Sequence, residues 1–282
     1  MATTGQTMQS CAKNKKKILF NYDYSMAPYH TLFYYEKAAK QSELFTAHRR
    51  GDIAPCDADY IVNGESCAYS MTAPGVPSCY YETDSHLIHG WNPEFYDPVD
   101  LVLIPHKEHL NYYPKGKTRV LSFAADPELH RPIDGIIEHY DIAFVGNNTY
   151  PTRRHILHQL QKRYKVLITN AGAGLPYSRE FAKAKLAFNY SMKYECNMRF
   201  FECMSMGKVL ITDYLAELDE YATAGEHYAA YHDMTSLFKA IDNLLKQPNK
   251  RHAIGQAARE NIILYHTYKH RLMELINYLN EV

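Results

Sequence analysis

The chain has 282 residues, 46% of them apolar, which is enough to fill two medium cores better than one. Its 31 basic and 31 acidic residues cancel, which excludes a global field as the source of affinity for nucleic acid or a membrane, while a local basic groove stays open. Six cysteines, at 11, 56, 67, 79, 196 and 203, form no C-x-x-C pair, and no apolar run approaches the roughly 18 residues of a membrane span, so a soluble cytoplasmic protein with reduced thiols is expected.

In chain order, residues 1–14 are polar and small and read as a disordered lead-in before Lys15, Lys16 and Lys17. An apolar run over 18–22 predicts a strand with Asp23 at its carboxyl end, and a turn at Pro28 then leads to a helix over about 29–42. Similar runs at 60–62, 79–81, 101–104 and 120–123 predict a parallel sheet with short crossovers. Ligands of such a sheet meet the loops at its strands' carboxyl ends, which here carry Asp23, Glu65, Ser66, residues 82–86, His106 and Asp126. Residues 82–86 gather carboxylates, hydroxyls and an imidazole, the groups that move a proton to or from a substrate hydroxyl. Asp84 is the first catalytic candidate, with His86 and Asp23 behind it; Asp84 reads equally as the cap of a following helix. Asp57-x-Asp59 has the form of a metal-binding pair but precedes its strand, so a solvated turn is expected there and no metal site is assigned.

Residues 128–138, flanked and interrupted by Pro127 and Pro132, read as the linker. A strand over 141–145 then ends in Gly146-Asn147-Asn148-Thr149, and Pro151 opens a helix, an arrangement that aims free backbone N–H groups at an anion. Arg153 and Arg154 in that first turn oppose the helix dipole unless an anion is present, which points to a diphosphate. After a strand over 164–169, the small residues 170–174 let a base approach the backbone; Tyr177 either stacks on it or starts the next helix. A strand over 186–190 leads to Glu195, Asn197, Arg199 and Glu202, polar residues that open a helix closed by Gly207 before an apolar strand over 209–212. Strands near 141, 165, 186, 209 and 228 alternate with helices in a Rossmann-like pattern that lacks Gly-x-Gly-x-x-Gly. Met234, Leu237, Phe238, Ile241, Leu244 and Leu245 form a core-facing stripe, and a last helix carries Leu272, Leu275, Ile276 and Leu279 after a kink at His266-Thr267-Tyr268-x-x-Arg271.

Asn197-x-Arg199-x-Phe201-Glu202 followed by Gly207 resembles the CgeB-type, spore-maturation-like glycosyltransferases, and more widely the donor-binding segment of the GT-B superfamily. Six residues separate Glu195 from Glu202 where the wider superfamily has seven. The aromatic-x-x-Asp-x-His segment ending at His86, the Ala-Asp-Pro-x-x-His-x-Pro segment at 125–132 and the His-Thr-Tyr-x-x-Arg segment resemble the same family, so the likeness runs from about 80 to 282 and is strongest after 140. It implies an α/β GT-B fold, with two Rossmann-like domains facing across a cleft: an acceptor-side domain over 15–130, a donor domain over 131–265, and a helix over 266–282 returning to the first. It also implies transfer of a sugar from a nucleotide diphosphate sugar, UDP-linked, to a saccharide or small-molecule hydroxyl, without cofactor or metal. Glu202 would bind the ribose, with Gly146, Asn147, Arg153, Arg154, Tyr177, Glu195, Asn197 and Arg199 around the rest of the donor and the arginines standing where a metal otherwise would. Two alternatives remain at this stage. One is a binding protein without transfer activity. The other is a transferase acting on a hydroxylated DNA base, served by a stripe of Lys13, Lys15, Lys16, Lys17, Arg49, Arg50, Lys107, Lys115, Lys117 and Arg119 and betrayed by steep salt dependence.

Overall fold

A computed structural model describes residues 15–85, 92–193 and 195–282; the lead-in and His86 therefore lie outside the described residues. The first half builds strands β1 (Lys16–Asn21), β2 (Phe45–Arg49), β3 (Tyr60–Gly64), β4 (Ser78–Tyr81), β5 (Leu101–Ile104) and β6 (Thr118–Val120), with helix α1 (Thr31–Lys40) after β1 and one turn, α2 (Pro93–Tyr96), before β5. The strands pair in parallel in the order β2-β1-β3-β4-β5-β6. β3, β4 and β5 are buried along their whole length, which is why they read as unbroken apolar runs. β2 was not foreseen: only Phe45 of its Phe-Thr-Ala-His-Arg is buried, as suits a sheet edge, so its sequence lacks an apolar signal. β6 ends at Val120; of the residues expected to continue it, Leu121 still donates its N–H to the Ile104 carbonyl of β5 at 2.8 Å, and Ser122 and Phe123 are buried beyond the strand.

The second half runs β7 (Tyr140–Val145), α3 (Pro151–Gln161), β8 (Val166–Thr169), α4 (Leu175–Ala182), β9 (Ala184–Phe188), α5 (Met198–Ser205), β10 (Leu210–Asp213) and β11 (Ala229–Tyr231), followed by α6 (Met234–Lys246), α7 (Pro248–Tyr265) and α8 (Tyr268–Leu279). Its parallel sheet has the order β11-β10-β9-β7-β8. Both sheets thus grow first one way and then the other, reversing between β1 and β3 and again between β7 and β9. At such a reversal the outgoing loops diverge and leave a crevice at the strands' carboxyl ends. Gly207 (φ +68°) closes α5. A Cβ on Gly255 would run into the Gly207 carbonyl, so glycine at 255 is what lets α7 lie against the end of α5.

The halves exchange core residues. Tyr268, Leu272, Leu275, Ile276 and Leu279 of α8 pack with Ile18, Phe20, Leu32 and Tyr35 of the first half, and Tyr268 stacks on Tyr34 with centroids 4.8 Å apart. At about 1.5–3 kcal/mol for each buried apolar side chain, this docking is a substantial part of the first core. Thr267 opens α8 through a capping box with His270, and Arg271 donates from Nε to the Phe123 carbonyl at 3.3 Å. In the opposite direction, Phe123 and Ala125 pack into the second core with Phe200 and Phe201. Among the described residues no helix is long and apolar enough to cross a membrane.

Candidate active site

A cleft of about 540 Å³ lies where the two reversals face each other. His30, Glu65, Thr83 and Asp84 line it from the first half; Gly146, Asn147, Arg153, Tyr177, Glu195, Asn197, Arg199 and Glu202 line it from the second. A larger cavity of about 660 Å³ opens beside Lys185 and Lys208, at the opposite end of the second sheet. Four of its cations are already engaged: Arg251 and Arg259 bond the carbonyls that end α6 and α5, while Lys185 and Lys208 pair with Asp141 and Glu138. The cleft, not this cavity, collects the sequence candidates.

At the cleft's basic end, Gly146 (φ +143°) follows β7, and a Cβ there would collide with the Arg199 guanidinium. Arg199 donates from Nε to the Val145 carbonyl at 3.1 Å and from Nη1 to Asn189 Oδ1 at 2.7 Å. Asn189, buried at the end of β9, also accepts from Asn197 Nδ2 at 3.3 Å and donates to Thr212 Oγ1 at 3.0 Å, so one side chain orients two of the candidates. Arg153 is 4% exposed and donates from Nη1 to the Asn147 carbonyl at 2.8 Å and from Nη2 to that of Tyr190 at 2.7 Å. Both guanidiniums lie over the Phe144 ring, at 5.4 Å for Arg153 and 4.7 Å for Arg199. Burial first, then the neighbouring Arg199 charge, pulls Arg153 down to about 10. Two cations held against one ring by carbonyls repel each other, and a doubly charged anion in the cleft relieves that repulsion. Arg154 is not brought to this place: it is exposed on the outer face of α3.

Glu202 lines the cleft from α5 with one carboxylate oxygen 3.3 Å from Nε2 of the fully buried His130. Tyr177 packs edge-to-face on Phe181 at 4.9 Å and is buried in the second core, with burial and the nearby Glu202 carboxylate driving its phenol far above its ordinary pKa. Glu195 sits 3.5 Å from His106 Nε2, and Glu217 lies 3.9 Å from the other ring nitrogen. Burial, then Glu108, raises Glu217 to about 8. His106 follows β5, so this cluster spans both halves of the chain.

On the facing side, the Asp84 backbone N–H donates to Glu65 Oε1 and to Glu82 Oε1, the latter at 3.2 Å, while the Tyr96 hydroxyl donates to Glu82 Oε2 at 2.7 Å. This holds the exposed Asp84 side chain at the cleft's wall. Burial, followed by the adjacent Glu82, drives Glu65 well above the ordinary carboxylate range, so Glu65 keeps its proton near neutrality. Asp23 is placed elsewhere: its carboxylate accepts from the Ser25 N–H at 3.0 Å and hydroxyl at 2.7 Å and borders a separate shallow pocket. Asp59 accepts from the Lys17 N–H at 2.7 Å, at the end of the first sheet away from the cleft. Within the proposed basic stripe, Arg49 pairs with Glu36, Lys107 with Glu220 and Arg119 with Glu281.

Sequence reasoning did not assign Asn189, His130 or Glu65 to the site. Glu65 was visible as a strand-end residue and His130 inside the Ala-Asp-Pro-x-x-His-x-Pro segment, whereas nothing in the sequence marks Asn189.

A family model described as glycosyl transferase-like matches residues 127–277. No curated protein matches. Among solved structures, HepE of Anabaena in complex with UDP and glucose is 12% identical with a TM-score of 0.63, the match covering 95% of this chain and 100% of that one. A glycosyltransferase from Rickettsia africae is 12% identical with a TM-score of 0.60, covering 95% and 98%. Sucrose-phosphate synthase from Thermosynechococcus elongatus is 12% identical with a TM-score of 0.55, covering 79% and 73%. At these identities the likeness is one of fold, and the fold is GT-B.

Proposed function

The chain belongs to the glycosyl transferase-like family, and from that premise we propose that it moves a sugar from a UDP-linked donor to the hydroxyl of a saccharide or small-molecule acceptor. Within the family we group it with the CgeB-type enzymes, on the segment Asn197-x-Arg199-x-Phe201-Glu202 and the two further motifs at 125–132 and 266–271. The observation that carries the reading is the pair Arg153 and Arg199 on one Phe144 ring, facing Asp84 across a single cleft. The two guanidiniums meet the charge of the diphosphate, and Glu202 accepts the ribose hydroxyls. As the acceptor oxygen bonds to the anomeric carbon, its proton passes to Asp84; the bond from that carbon to the diphosphate breaks, and its electron pair leaves with UDP, whose growing charge the arginines stabilise. Free thiols at Cys56, Cys67, Cys79, Cys196 and Cys203 support a reducing, cytoplasmic setting.

Three measurements test this. Calorimetric titration with UDP in EDTA should give the same affinity as in magnesium, because the diphosphate is met by side chains; binding that needs the metal defeats the two-arginine site. Glu202→Ala should weaken UDP binding by about 1.5–3 kcal/mol, the worth of a hydrogen bond to a charged group, with the melting temperature held. Unchanged affinity would remove Glu202 from the site. Release of UDP only when donor and acceptor are both present separates transfer from mere binding.

A further inference from the structure

We propose that His130 is a positioning residue of the donor site, one that fixes the Glu202 carboxylate for the ribose and ties it to the first half of the chain; the inference rests on the reading of Glu202 given above.

The ring of His130 is wholly buried. Its Nδ1 accepts the Asp126 N–H at 3.2 Å, so the neutral imidazole carries its proton on Nε2. That Nε2 completes no hydrogen bond among the described residues, yet it lies 3.3 Å from Glu202 Oε1. A buried donor short of its acceptor is costly, and a small turn of the carboxylate satisfies it. The same carboxylate meets the Tyr177 phenol from α4 and lines the cleft, so His130 and Tyr177 together fix the way it faces.

The groups facing the ring are Glu202 from α5, Asp126 from its own turn, Lys37 from α1, and the rings of Tyr34 at 5.4 Å and Tyr177 at 6.2 Å. Burial is the leading influence and lowers the pKa of His130, against the pull of Glu202 and Asp126, so the ring offers a single N–H at neutral pH.

The turn that carries the ring is gripped from both sides. Ser178 Oγ of α4 donates to the Leu129 carbonyl at 2.7 Å, and Ser205 Oγ of α5 donates to that of His130 at 2.6 Å. From the first half, Lys37 of α1 pairs with Asp126 at 2.5 Å and with Glu128 at 2.8 Å. A shift of one half against the other therefore reaches the carboxylate through Asp126 and His130.

The test compares UDP with 2′,3′-dideoxy-UDP on the full chain. Wild type should favour UDP by about tenfold or more, the worth of one hydrogen bond to a charged acceptor. His130→Gln places an N–H near the position of Nε2 and should keep most of that preference. His130→Asn reaches only as far as Nδ1 and should bring the ratio towards one, as should His130→Ala. Combining His130→Ala with Glu202→Ala should cost no more than Glu202→Ala alone, because the two act as one unit. Equal ratios for the Asn and Gln variants, or a melting temperature that falls while the UDP preference stays at the wild-type level, would overturn the assignment. So would additive losses in the double variant. A wild type that binds no UDP defeats the donor reading itself and His130 with it, which separates the two failures.

Discussion

Asp84→Asn is expected to lower turnover by about 10²–10⁴-fold while UDP affinity stays at the wild-type level. The substitution keeps the side chain's shape and its hydrogen-bonding reach. It also leaves the backbone N–H of residue 84 bonded to Glu65 and Glu82, so the loop should hold its place. What is lost is a carboxylate able to take the acceptor's proton. Its neighbour cannot substitute, because burial and Glu82 keep Glu65 protonated near neutrality. The sign of the pH dependence follows: burial and Glu82 move the Glu65 pKa upward, so an onset of activity on the acidic side points to a different carboxylate. Steady-state kinetics beside UDP titration decide the matter. Near-normal turnover in Asp84→Asn would reduce Asp84 to a residue that shapes the loop.

Arg199→Ala is expected to lower turnover by about 10²–10³-fold, the scale of removing one preorganised donor from a developing charge, and to weaken UDP binding as well. Arg199 is fixed by Val145 and Asn189 before any ligand arrives, so its charge needs no reorganisation during reaction. Lysine is a poor replacement, because it keeps the charge but cannot span both partners. Gly146→Ala tests the same place from the other side: a Cβ at 146 enters the space of the guanidinium, and the residue itself sits at φ +143°. Both variants should lose UDP affinity. If Gly146→Ala binds UDP normally, Arg199 does not stand where the diphosphate lies.

The layout of the fold was largely legible because its strands are buried on both faces and read as short apolar runs divided by glycine, proline and polar turns. β2 escaped because an edge strand does not need an apolar sequence. Of the donor-side candidates, Gly146, Arg153, Arg199 and Glu202 meet in the cleft, since each follows a strand or opens a helix at its carboxyl side, where position in the chain implies position in space. Arg154 and Asp23 show the limit of that logic. Arg154 is next to Arg153 in sequence, but adjacent helical residues point about 100° apart, so only one of the two turns inward. Asp23 stands at a strand's end but bonds its own turn. Asn189 and His130 act through other side chains, and such contacts between distant segments leave no spacing pattern to read.

The exchange of α8 bears on what can be cut from this protein. The matched stretch, 127–277, looks like a detachable module, yet it includes most of a helix whose apolar side is completed by β1, β3 and α1. Excised, that stretch would carry Tyr268, Leu272, Leu275 and Ile276 into water and would tend to aggregate, while residues 15–126 alone would lack a wall of their interior. The unit recognised by sequence is therefore not the unit that folds, and the smallest autonomous piece of this molecule is nearly the whole of it.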